Sequence, residues 1–243
     1  MSIVCNCNFR RQILFNNRAR LKLLRHRWQE GILFEDKDLN QIMNQLHLFN
    51  QDEGLVFPEN LLEYYPGFLS QKESREVMEK IISEVPWQQR TIMMYGKQLL
   101  TPRLMAWYGD KNKSYAFSGS RFDPIFWTDE LLYLKEKIES STRLSFNSVL
   151  LNYYRDGNDS VAWHSDDETE LGKRPNIASL SLGQGRNFEF RHKTDHQRKY
   201  SLHLENGSLL IMKGDLQHHW EHRIPKMTTK AAERVNLTFR TIF

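Results

Sequence analysis

Arg234-Val235-Asn236-Leu237-Thr238-Phe239-Arg240 alternates without a break. Successive side chains of a strand point to opposite faces. Val235, Leu237 and Phe239 therefore share one face, and Arg234, Asn236, Thr238 and Arg240 share the other. The alternation predicts a β-strand. Two expectations compete for its polar face. The simpler is an amphipathic strand with a solvated side. The sharper is a site for a dicarboxylate, because two arginines with hydrogen-bonding residues between them suit such a ligand. Six residues of strand span roughly 20 Å, longer than a small diacid. The arginine arms would have to lean inward, or one would reach along the sheet.

Outward from this strand, residues 146–154, 177–182, 188–191, 201–204 and 208–212 are also short, β-prone and bounded by turn residues. Many short strands in the C-terminal half predict a sandwich or barrel. Two helices precede and interrupt them. Ser70 followed by Glu73 fits a capping box ahead of an apolar stripe at Val77, Ile81, Ile82 and Val85. Thr128 can cap a second helix, with Asp129 and Glu130 in its first turn and Leu131, Leu134 and Ile138 following.

The 243 residues allow one sizeable domain plus an extension, or two small domains. With 40% hydrophobic and 26% charged residues, a mostly disordered chain, a collagen and a coiled-coil rod are excluded. No apolar run approaches the ~18 residues of a membrane span. Cys5 and Cys7 cannot build a disulfide framework or a four-cysteine zinc site, so a reducing compartment is expected. The net charge of +4 permits a nucleic-acid partner without establishing one. Charge is uneven. Residues 1–29 hold no acid but carry Arg10, Arg11, Arg18, Arg20, Lys22, Arg25 and Arg27. This segment reads as a solvated basic arm, an organelle presequence or a phosphate-binding arm. Cytoplasm or nucleus is the expected location, with organelle import the alternative that the basic segment carries. The globular domain is expected to begin near Leu55.

His164 and Asp166 lie two apart in Ala162-Trp163-His164-Ser165-Asp166. In an extended segment both point to one side and can offer a nitrogen and a carboxylate to one metal ion. A further histidine would complete a two-His, one-carboxylate triad, which leaves positions open on Fe(II). His218, His219 and His222 are all candidates, and spacing does not choose among them. Asn152 and Tyr154 share a strand face by the same period of two. They are either that strand's polar side or hydrogen-bond donors to the same acid. Gly183-Gln184-Gly185-Arg186-Asn187-Phe188 begins like a dinucleotide fingerprint. Phe188 replaces its third glycine and no helix follows. No G-x-S-x-G nucleophile elbow occurs.

Together, Asn152-x-Tyr154, His164-x-Asp166, Trp220-x-His222-x-x-Pro225 and Arg234-x-Asn236-x-Thr238-x-Arg240 resemble the AlkB family of Fe(II)- and 2-oxoglutarate-dependent dioxygenases. Met94-Tyr95-Gly96-Lys97, 115–119 and 188–193 are similar to its nucleic-acid repair members. The resemblance runs from about Leu61 to Phe243 and leaves residues 1–55 outside.

The resemblance implies an α+β fold: a double-stranded β-helix, or jelly roll, with N-terminal helices and a β-hairpin nucleotide-recognition lid. It divides the chain into a basic extension, 1–55, and a dioxygenase domain, 56–243. The lid would lie near 86–120 and the jelly-roll core near 146–243. His222 becomes the distal iron ligand beside His164 and Asp166. Arg234, with Asn152 and Tyr154, would hold the far carboxylate of 2-oxoglutarate. Arg240, helped by Asn236, would hold the end that chelates iron, and Thr238 belongs to the same site. Tyr95, Gly96 and Lys97 would form the tip of the recognition hairpin, with Tyr95 where the duplex-acting pattern carries Phe. Tyr115 and Phe117 would line the base pocket, and Asp167 would face the substrate.

The implied activity uses Fe(II), 2-oxoglutarate and O2 to demethylate bases such as 1-methyladenine and 3-methylcytosine in DNA, with RNA a second candidate. Formaldehyde and succinate would be released. The expected partner is alkylated DNA, single- or double-stranded, acted on by a monomer without a membrane. The alternatives are a dioxygenase acting on RNA, a protein or a small molecule, and a catalytically silent nucleic-acid-binding module.

Overall fold

The structure is a computed structural model that describes residues 61–94, 97–111, 115–117, 120–122 and 124–243. Residues 1–60, Tyr95 and Gly96 lie outside the described residues. In chain order the elements are β1 (Leu62–Tyr65), α1 (Gln71–Glu84), β2 (Gln88–Met94), β3 (Lys97–Gly109), β4 (Tyr115–Phe117), β5 (Ser120–Phe122), α2 (Asp129–Thr142), β6 (Ser148–Tyr154) and β7 (Val161–His164). They continue with β8 (Ile177–Gly183), β9 (Arg186–His192), β10 (Lys199–Leu204), β11 (Ser208–Met212), α3 (Leu216–His219), β12 (Trp220–Ile224) and β13 (Arg234–Arg240).

Seven strands form the larger sheet in the order β1-β11-β8-β13-β6-β3-β2. Four more form a smaller sheet, β10-β9-β12-β7. These antiparallel sheets make the jelly roll. β4 and β5 pair by themselves. β2 and β3 form a hairpin in which Met94 pairs with Lys97, so two residues connect the strands. Among the described residues no helix is long and apolar enough to cross a membrane.

The two helices start where the sequence places them. Ser70 Oγ accepts a hydrogen bond from the Glu73 backbone at 3.2 Å, and Thr128 Oγ1 accepts one from Leu131 at 3.3 Å. Each cap satisfies a backbone donor that the first turn leaves open, worth about 1 kcal/mol. Glu73 also accepts from Tyr133 at 2.8 Å and pairs with Lys137, which joins α1 to α2. Val77 and Ile81 from α1, and Leu131, Leu134 and Ile138 from α2, bury against one face of the large sheet. Val235, Leu237 and Phe239 of β13 meet them there, fully shielded from solvent.

The opposite face of β13 is buried as well. Arg234, Asn236, Thr238 and Arg240 are each less than a tenth exposed. The solvated-face expectation therefore fails, and the strand is covered on both sides. Its polar side chains line the cavity described next.

Candidate active site

The site begins with register. β13 pairs on one side with β6, where Arg234 lies opposite Tyr154 and Asn236 opposite Asn152. On its other side it pairs with β8, where Asn236 lies opposite Ser181 and Thr238 opposite Ser179. Cross-strand neighbours point to the same face. Polar residues from three strands thus gather on the inner wall of the large sheet. All of them but Ser181 line a cavity of about 750 Å³.

The smaller sheet supplies the metal-ligating chemistry. His222 of β12 lies opposite His164 of β7. Their rings sit 4.3 Å apart, centroid to centroid. Asp166 follows β7 and places Oδ1 3.9 Å from His164 Nε2 and Oδ2 4.0 Å from His222 Nε2. The three ligand atoms lie within 4.8 Å of one another, close enough to touch one ion. His164 Nδ1 lies 2.9 Å from the Ala162 carbonyl. A carbonyl only accepts, so Nδ1 carries the proton and Nε2 keeps its lone pair for a metal.

Register also separates the histidines that spacing left equal. His222 is buried on the inner face of β12, whereas His218 and His219 belong to α3 and are exposed. His218 Nε2 instead meets the Lys173 carbonyl.

Electrostatics tune the group for a cation. Burial alone would raise the Asp166 carboxyl, but Arg240, His222 and His164 outweigh it and hold its pKa down to about 2. Arg240 Nη2 donates to Asp166 Oδ1 at 2.6 Å. Burial, with His164 nearby, depresses His222 to about 3, so its imidazole is neutral. An anionic carboxylate and neutral imidazoles are the protonation states that bind a divalent metal.

At the other end of the cavity Arg234 is wholly buried. Its Nη2 donates to Ser181 Oγ at 3.0 Å. Nε and Nη1 meet no acceptor at hydrogen-bonding geometry among the described residues. Burial lowers its pKa, and Tyr154, whose ring lies 4.9 Å from the guanidinium, offsets part of that. A buried guanidinium with open donors is costly unless an anion completes it.

The chain matches the family model described as the 2OG-Fe(II) oxygenase superfamily over residues 61–240. It is 43% identical over 188 residues to the alpha-ketoglutarate-dependent dioxygenase alkB homolog 3 of Mus musculus, covering 74% of this chain and 65% of that protein. It is 36% identical over 199 residues to the DNA oxidative demethylase ALKBH2 of Bos taurus, covering 78% of this chain and 72% of that protein. This chain belongs to the AlkB family. The solved structure of OsALKBH1 shares the fold, with a TM-score of 0.56 at 18% identity, and the match covers 74% of this chain and 98% of that one. The chain spans just under two thirds of the length of the alkB homolog 3 proteins it matches.

AlkB-family chemistry uses Fe(II), 2-oxoglutarate and O2, and the residues present fit the first two. One carboxylate and two imidazoles form an iron donor set. The open donors of buried Arg234 suit a carboxylate, and Asn152, Tyr154 and Asn236 line the same cavity.

Other AlkB-site expectations are placed less completely. Lys97, Tyr115 and Phe117 lie on β3 and β4, which fixes their backbone position only. Asp167 pairs with Lys193 Nζ at 2.8 Å, while its neighbour Glu168 lines the cavity.

Sequence reasoning missed several residues. Gln217 is buried, and its Oε1 accepts from the Asp166 backbone at 3.0 Å. Arg103, buried in the cavity wall, donates from Nε to Asn152 Oδ1 at 2.6 Å. Ser179 Oγ accepts from Asn236 Nδ2 at 2.8 Å. The two serines carried a signal, since Ser179 and Ser181 alternate with apolar residues in an otherwise buried strand. Gln217 and Arg103 carried none.

Proposed function

We propose that this AlkB-family protein demethylates alkylated bases in DNA, of the 1-methyladenine and 3-methylcytosine kind. One observation carries the reading: His164, Asp166 and His222 converge in the same cavity as the open donors of Arg234. The relatives named as DNA oxidative demethylases supply the substrate class. Iron with 2-oxoglutarate and O2 supplies the oxidising equivalents that hydroxylate the methyl carbon, leaving succinate and CO2. The hydroxymethyl group on nitrogen then leaves as formaldehyde, and the base is restored.

The chain's own residues bind and orient. Arg234, Asn152 and Tyr154 would hold the far carboxylate of 2-oxoglutarate. Arg240, Asn236 and Thr238 would hold the end nearer the metal. β13 anchors both arginines, so strand geometry would set the two ends of the cosubstrate site against each other, while His222 comes from the smaller sheet and Asp166 from the segment after β7.

The substrate side suits an extruded cationic base. Methylation at adenine N1 or cytosine N3 blocks pairing and lowers the cost of flipping. The Trp163 ring already carries the guanidiniums of Arg191 and Arg223 at 4.4 and 4.5 Å, while Phe188 gives the cavity an aromatic wall and Glu168 adds a carboxylate. Such a setting favours a positively charged ring. Leu99 and Leu100, both exposed on β3, extend an apolar rim toward the tip of the β2–β3 hairpin. Tyr95, Gly96 and Lys97 would meet the nucleic acid there, with Tyr115 and Phe117 beside the base.

The test is mass spectrometry of oligonucleotides carrying one 1-methyladenine, single- and double-stranded, with Fe(II), 2-oxoglutarate and ascorbate. Methyl loss that depends on cosubstrate is expected. No loss, in protein that binds both Fe(II) and 2-oxoglutarate, would move the activity to RNA, a protein or a small molecule.

A further inference from the structure

Arg186 opens β9 and is 1% exposed, among the most deeply buried large side chains described. No carboxylate forms an ion pair with it among the described residues. Its guanidinium is spent on main-chain carbonyls instead. Nη2 donates to the Asp159 carbonyl at 2.9 Å and to the Pro225 carbonyl at 2.6 Å. Nη1 donates to the Asp156 carbonyl at 3.3 Å. Burying a guanidinium is expensive, and such charge-assisted bonds offset that cost.

The places of those carbonyls give the arrangement its meaning. Asp159 stands two residues before β7, the strand that ends at His164. Pro225 directly follows β12, the strand that carries His222. These strands pair with each other, but their ladder shifts between His222 and Ile224. An irregular ladder fixes the relative position of two strands less firmly than a regular one. Arg186 ties the strands together just beyond that irregularity. Its guanidinium also lies 5.6 Å from the centroid of the Tyr154 ring, and Arg234 lies 4.9 Å from the same centroid.

The sequence builds this placement with the glycines that imitate a dinucleotide fingerprint. Gly183 has φ +83°, and a Cβ there would come 2.5 Å from the Glu233 carbonyl oxygen. A Cβ on Gly185 would come 2.5 Å from His203 Nε2. At Gly183 the turn from β8 to β9 thus passes through space that only glycine leaves open, whereas at Gly185 the nearest atom is the tip of the exposed His203 side chain.

We infer that Arg186 is a positioning residue that sets the Tyr154 end of the 2-oxoglutarate pocket against the strands bearing His164 and His222. It rests on the proposed metal and cosubstrate site and adds a residue that touches neither ligand. Its loss should weaken 2-oxoglutarate binding through Tyr154.

The test is calorimetric titration of 2-oxoglutarate into the full chain loaded with Mn(II), without turnover, alongside melting curves. Arg186→Met keeps the side-chain bulk and removes the donors. It is expected to stay folded at the assay temperature and to raise the 2-oxoglutarate dissociation constant tenfold or more. Arg186→Lys, with charge but no fork, should fall between Met and wild type. In a Tyr154→Phe background, Arg186→Met should have a smaller effect than in wild type. Wild-type affinity in Arg186→Met, or an undiminished effect beside Tyr154→Phe, overturns the inference. If Arg186→Met is unfolded, Arg186→Lys decides alone, and wild-type affinity there overturns it. A wild-type chain that binds neither Mn(II) nor 2-oxoglutarate overturns the underlying site as well.

Discussion

Arg240 Nη2 lies 2.6 Å from Asp166 Oδ1, and both side chains are almost wholly buried. The guanidinium assigned to the cosubstrate thus neutralises a metal-ligating carboxylate. Removing it would leave a buried carboxylate uncompensated, which is typically destabilising by about 3–5 kcal/mol. A divalent cation would restore the missing charge. Arg240→Met should therefore melt well below wild type without metal, and Mn(II) should raise its melting temperature more than it raises that of wild type. Thermal unfolding with and without Mn(II) checks this. Equal metal-induced shifts would show that Arg240 does not serve as the stand-in cation.

Gln217 acts on Asp166 through that residue's main chain. Its amide oxygen accepts from the Asp166 backbone, and α3 holds it there immediately before β12. Groups that orient metal ligands contribute roughly 10–100-fold in metal affinity. Gln217→Leu keeps the volume and deletes the acceptor. Metal titration should show a loss within that range while the melting temperature of the metal-free protein moves little. An unchanged metal affinity would reduce Gln217 to a packing residue.

The parts of this site that were legible in sequence share one property. Each group of them lies along one extended segment whose period of two places residues on a common face. Arg234, Asn236, Thr238 and Arg240 could be grouped before any partner strand was known. Choosing His222 required more, because His218, His219 and His222 differ only in where α3 gives way to β12. The family resemblance made that choice, and the ladder between His222 and His164 agrees with it. β1 and β7, with four residues each, are too short to show periodicity. Gln217, Arg103 and Arg186 act across strand pairings that the local sequence does not encode. Arg186 was hidden further by a glycine pattern that imitates another motif.

His222 gives the metal-free protein a defined acid sensitivity. Burial and His164 hold its pKa near 3, against an ordinary value of 6.5. Below pH 6.5 the unfolded chain takes up a proton there, while the folded chain stays neutral until about pH 3. The unfolded state thus binds more protons in that window. The stabilisation is complete above pH 6.5 and declines as pH falls, by up to about 1.4 kcal/mol per pH unit for one proton. Urea unfolding of metal-free protein at pH 7, 6 and 5 should show this decline, and His222→Gln should flatten it. An equally steep decline in the variant would place the acid sensitivity elsewhere.

Arg234 offers the cleanest separation of charge from geometry. It is wholly buried in the cavity wall, donates to Ser181, and its Nε and Nη1 meet no acceptor at hydrogen-bonding geometry among the described residues. A carboxylate arriving there can take two parallel hydrogen bonds from one planar group, an arrangement that lysine cannot reproduce. Arg234→Lys preserves the positive charge that the cavity already accommodates. If charge alone held the cosubstrate, this variant would bind 2-oxoglutarate nearly as well as wild type. If the fork holds it, one or two charge-assisted hydrogen bonds are lost, each worth roughly 1.5–3 kcal/mol. The KM for 2-oxoglutarate should then rise by at least about tenfold, because 1.4 kcal/mol corresponds to a factor of ten. kcat at saturating cosubstrate should change much less, since His164, Asp166 and His222 are untouched. Steady-state kinetics with 2-oxoglutarate as the varied ligand decides between the two. A variant with lowered kcat and an unchanged KM would mean that Arg234 supports the metal strands instead of the diacid.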